Sequence, residues 1–90
     1  MDLRFDTGFG RDTAGKLGQC AGDLESELSA ASSSVDALVG GAWVAPAANQ
    51  FQDEFNDWAG QVRSTIEALR TLQNRLNSEI EQWEATAQSV

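Results

Sequence analysis

The chain has no histidine, no tyrosine, one cysteine and one proline. Without histidine, and with one thiol, neither a zinc site of the usual Cys/His type nor a Cys–His catalytic pair can be assembled. A single cysteine, Cys20, closes no internal disulfide. Bases are scarce as well: six Lys/Arg stand against 14 Asp/Glu, for a net charge of −8 and a pI near 4.1. Nucleic-acid binding is excluded, since no surplus of cations exists to displace phosphate counterions. Docking on anionic lipid is disfavoured for the same reason near pH 7. No apolar run approaches the roughly 18 residues that a membrane span needs. The opening MDLRFDTGFGR carries two acids and no apolar stretch, so it does not read as a secretory signal peptide. No metal ligands, cofactor motif or catalytic set is expected.

What is present is helix-forming sequence in two runs around a Gly-rich break. The first run is Leu17, Ala21, Leu24, Leu28, Ala31, Val35 and Leu38, spaced 4, 3, 4, 3, 4, 3. That is the 3.5-residue repeat of helices packed side by side. Asp12 or Thr13 can cap this helix, and Asp6 or Thr7 would serve a longer one. Gly40 and Gly41 follow Leu38 and Val39 and suit a left-handed helix end. The second run starts with Phe51, Phe55, Trp58 and Val62. It continues through Ile66, Leu69, Leu72, Leu76, Ile80, Trp83 and Ala87 to Val90. Its 3, 4, 4, 3 spacing after Leu69 is a stutter, which relaxes a left-handed supercoil. Pro46 fits the first turn of this helix.

The reading is one all-α domain over residues 1–90: helix one at about 12–39, a turn at 40–45 and helix two at about 46–86. A connection this short makes the helices antiparallel neighbours. Folding at residues 42–43 sets Val35 by Phe51, Leu28 by Trp58, Leu24 by Val62 and Leu17 by Leu69. Phe55 and Trp58 then read as core. Leu3, Phe5 and Phe9 remain either to pack back on the far end of helix two near Leu76 and Ile80 or to stay disordered. Cys20 reads as a small buried hydrophobe. Asp53 and Asp57 share a solvated helix face rather than a catalytic pocket. A chain this small, without disulfide or metal, is short of core, and association is the remaining source of stability. Ala48, Ala59 and Ile66 widen the apolar stripe beyond one seam, as a dimer interface requires.

The turn carries a more specific signal. Trp43-Val44-Ala45-Pro46, with Phe51 eight residues after the tryptophan, resembles the Trp-x-Gly turn of the WXG100 (ESAT-6-like) family of type VII secretion proteins. The resemblance covers essentially the whole chain. It implies antiparallel hairpins that dimerise into a four-helix bundle, with Trp43 and Ala45 as the motif turn. The partner interface would draw on Leu24, Leu28, Ala31 and Val35 of one helix and on Phe51, Phe55, Trp58 and Val62 of the other. The resemblance further implies a non-enzymatic protein that is cytoplasmic before export and then secreted or held at the cell surface without a cleaved signal peptide. Its partners would be a second copy, another WXG100-like chain or an LXG-type effector, together with the secretion ATPase. The alternative role is a cytosolic adaptor for the N-terminal helical domain of such an effector.

Two departures from the family pattern stand out. Alanine occupies the glycine place at residue 45. Before proline the backbone is pushed to extended, negative-φ conformations, so glycine is not needed there. The family's Tyr-x-x-x-Asp/Glu export signal has no tyrosine to use. Its nearest equivalent is Trp83-Glu84-Ala85-Thr86-Ala87, with Trp83 and Ala87 at the two signal places. Trp83 therefore reads as an export or partner contact, or else as the residue on which the N-terminal arm packs. Two copies would double the charge of −8, which favours a less acidic partner. Disruption of membranes would need a basic polar face, which these helices lack unless their carboxylates are protonated.

Overall fold

The computed structural model describes residues 3–88 and shows an all-α helical hairpin. Helix α1 spans Thr7–Ala37, one wide turn follows at Leu38–Ala42, and helix α2 spans Pro46–Gln88. The chain falls into two compact units. One combines the residues up to Ala21 with those from Glu67; the other is Gly22–Ile66. Val90, the last member of the second apolar run, lies outside the described residues.

Helix α1 begins at Thr7, five residues before the expected start at 12, because Asp6 is the cap. Its Oδ1 accepts the Phe9 backbone N–H at 3.0 Å, and its carbonyl accepts the Gly10 N–H at 2.9 Å. The first bond satisfies one of the amides that a helix start leaves orphaned, and the second is the first turn of the helix. Replacing Asp6 by alanine is expected to cost about 1 kcal/mol. The check is the urea midpoint of helix ellipticity, with Asp12→Ala as the control that leaves it unmoved.

The other end of α1 overturns an expectation. No glycine in the described chain has positive φ, so Gly40 and Gly41 do not provide a left-handed stop. The helix instead widens into a single π-type turn, closed by Trp43 N–H donating to the Leu38 carbonyl at 2.8 Å. It ends when Trp43 adopts an extended backbone, φ −133° and ψ 106°. Neither glycine would meet anything with an added Cβ.

The seam between the helices is made of alanines and a few aliphatic residues. In the first unit Ala14 and Ala21 are buried on α1 and Ile80 on α2. In the second unit the buried residues are Leu28 on α1 and Ala48, Ala59 and Ile66 on α2. Ala14, Ala21 and Leu28 are spaced by sevens, so the heptad repeat read from sequence does mark the seam side of α1. On α2 the seam runs through alanines and isoleucines, not the aromatic residues. Trp58 is 51% exposed and Phe51 40% exposed, so Trp58 is not core. Alanine lets helix backbones approach, and at that separation a tryptophan does not fit between them.

Close approach also accounts for two glycines of the first unit. A Cβ on Gly10 would sit 2.9 Å from a Phe5 ring carbon and 3.1 Å from Ile80 Cδ1. One on Gly18 would meet the Gln73 amide at 2.5 Å, although that side chain is flexible and can turn away. Of the three arm residues expected to cover helix two, Phe5 alone does so; Leu3 and Phe9 are 73% and 71% exposed. Cys20 is also exposed rather than buried.

Candidate functional site

In the second unit the turn is organised by aromatic rings. Trp43 packs on Phe51 with ring centres 5.9 Å apart, tilted by 54°. Phe55 and Trp58, one helical turn on, lie 5.6 Å apart. Ala45 accepts the Ala48 N–H at 3.0 Å and so starts α2 on its first turn. Among the described residues no non-glycine residue, Ala45 included, has positive φ, which is why alanine serves at position 45. Trp43 is half-buried and Val44 points to solvent.

The Asp36–Gln52 hydrogen bond, 3.2 Å, marks one side of this unit's seam. By helical phase, Leu24, Ala31 and Leu38 lie on the other side of α1, and Phe51 and Trp58 on the other side of α2. All five therefore look the same way. Leu38, Phe51 and Trp58 are exposed, while Leu24, Ala31, Val35, Phe55 and Val62 are half-buried. Leu28, assigned to the partner interface from the sequence, is already 7% exposed within the chain and has little left to offer a partner.

In the first unit the arm returns to the end of α2. Phe5 meets Trp83 edge-on, with ring centres 6.0 Å apart and planes at 64°. The Arg11 guanidinium donates to the Glu84 carboxylate across 73 positions of sequence. Phe5, Thr7, Trp83, Glu84 and Ala87 line a solvent-open pocket of ≈ 320 Å³. Trp83 remains 37% exposed, and Ala87 is exposed as well. The hydrogen bond from Arg11 holds the Glu84 carboxyl below its ordinary range, against a smaller opposing effect of desolvation, and the same bond raises Arg11.

A carboxyl whose folded pKa is depressed adds stability that is present above its unfolded pKa and is lost as pH falls through the folded value. The contact should therefore hold near pH 7 and open below the ordinary carboxylate range. With Trp43 and Trp58 replaced by phenylalanine, Trp83 emission is expected to shift to the red on acidification. Glu84→Gln should show that shift already at pH 7. An emission maximum unchanged in Glu84→Gln would mean that the ion pair does not position the arm. The pair was not legible in the sequence, because nothing local links Arg11 to a glutamate 73 positions away.

Among the described residues no group of three Asp, Glu, Cys or His stands close enough to hold a metal ion. No described helix is long and apolar enough to cross a membrane. The family model for proteins of 100 residues with WXG matches residues 10–88. The chain belongs to the WXG100 family. No curated protein and no solved structure is matched. The match takes in the whole Trp43–Phe51 turn and the Trp83–Ala87 segment, and it stops short of the arm residue Phe5. WXG100 proteins are small, non-enzymatic helical proteins associated with type VII secretion, and they typically pair with one another or with related partners.

Proposed function

We propose that this WXG100 protein acts by helix–helix binding and is exported folded as one half of a dimer of hairpins, packed as a four-helix bundle. One observation carries this reading. Large apolar side chains of α2 are left uncovered in both units: Phe51 and Trp58 in one, Leu72 (56% exposed) and Trp83 in the other. Single exposed hydrophobes are ordinary, but repeated ones on a heptad phase are what a partner helix covers. Phe51, Trp58 and Leu72 share that phase. Motif residues Trp43 and Ala45 shape the turn, and Trp83 with Ala87 forms the C-terminal contact for export or for the partner.

The second reading, a cytosolic adaptor for an LXG-type effector, rests on the C-terminal segment. Trp83 is partly covered by Phe5, and alanine stands where the export signal has an acid. The secretion ATPase would then read its signal on the partner. Fractionation of cells that express the tagged chain separates the two. Recovery from the medium in equal amount with a helical partner supports co-export, and retention in the cytosol beside an exported effector supports the adaptor. A chain that purifies as a 9.7 kDa monomer, with no partner in either fraction, would sink both.

A further inference from the structure

The second unit states what kind of partner its face accepts. This inference rests on the helix–helix binding reading above and narrows it. Charge in the chain is unevenly placed. Residues 22–66 hold seven of the 14 acids and one of the six bases, Arg63. The remaining residues hold seven acids against five bases. The exposed apolar face therefore lies in the more acidic part.

The positions of two glutamates relative to that face are equivalent. Glu54 follows Phe51 by three and precedes Trp58 by four. Glu27 follows Leu24 by three and precedes Ala31 by four. On a helix these spacings make each glutamate a surface neighbour of both apolar residues. Both are exposed, so the face is edged by a carboxylate on α1 and by another on α2. The next positions one heptad on, Ser34 and Gln61, are uncharged, and Arg63 falls on the seam's other side by helical phase. In paired helices, side chains at such flanking positions choose the partner.

We infer that the face formed by Leu24, Ala31, Leu38, Phe51 and Trp58 takes an unlike helical partner whose apolar stripe is flanked by Lys or Arg. A second copy does not fit this requirement. Both of its units are net acidic, so neither offers an excess of Lys or Arg to the two glutamates. Like charges facing across an interface act against the wrong partner, while opposite charges speed encounter and fix register.

The test uses the full chain and two synthetic amphipathic peptides. They share leucines at heptad positions a and d; one carries lysine at e and g, the other glutamate. Binding is followed by tryptophan emission. The lysine peptide is expected to bind, and to weaken about tenfold or more between 50 and 500 mM NaCl. The glutamate peptide is expected not to bind. Glu27→Gln combined with Glu54→Gln should lose about tenfold for the lysine peptide at low salt, and Trp58→Ala should weaken it at any salt. Ellipticity confirms that each variant stays helical. Equal binding of both peptides overturns the charge selection. A chain that forms, alone, a dimer stable at all salt concentrations overturns the unlike partner and leaves the dimer reading standing. Binding of neither peptide by a monomeric chain overturns both.

Discussion

Replacing Ile80 by alanine is expected to destabilise the chain by about 3 kcal/mol, a large part of what a small domain has. Ile80 is 2% exposed and is the one large side chain fully buried among the described residues. Its δ-methyl reaches to within 3.1 Å of where a Gly10 Cβ would lie, a space open only because that residue is glycine. Truncation removes apolar contacts and leaves a cavity that two helices held by small residues cannot collapse to fill. Leu72→Ala is the control. At 56% exposed, it should change the stability of the isolated chain by well under 1 kcal/mol. Urea denaturation followed by ellipticity compares the two. Equal losses would mean that the seam has been assigned to the wrong face of α2.

The opposite pattern is expected for Phe51→Ala together with Trp58→Ala. Both side chains lie largely outside the seam, so the hairpin should remain helical. Association should suffer instead, by about 3 kcal/mol for the pair, or roughly a hundredfold in Kd. Buried aromatic anchors dominate helical interfaces because each removes a large apolar area from water on binding. The dissociation constant is measured against the co-purified partner by titration, with ellipticity of the isolated variant beside it. Collapse of the helices, with no separate loss of binding, would place these rings in the fold rather than at the interface.

Much of the fold was legible in the sequence because helix periodicity is a local property. The 4, 3 spacing from Leu17 to Leu38 marks α1, and Pro46 marks the first residue of α2. The Trp43-to-Phe51 spacing pointed to the family, and the two rings do meet. Errors arose where large and small residues compete for one helix face. Phe51, Phe55, Trp58 and Val62 repeat as regularly as Ala48, Ala59 and Ile66 do, offset by about one position around the helix. Hydrophobicity favours the aromatic set for the core, yet backbone proximity favours the alanines. Helix ends were also misread. Gly40 and Gly41 look like a left-handed stop, but a wide turn closed by Trp43 N–H supplies the hydrogen bond that such a stop would have made.

The sequence by itself determined that this is a helical chain and where it turns. Composition and period decide those matters residue by residue. Its family was legible too, through one turn. Only the tertiary structure decided which of two neighbouring apolar stripes is spent within the chain. It also decided that Phe5 and Arg11 meet Trp83 and Glu84, and that Glu27 and Glu54 edge a common face. Each of these depends on how close two helices come and in what rotation. That is set by the sizes of facing side chains taken together, a quantity that no single position in the sequence records.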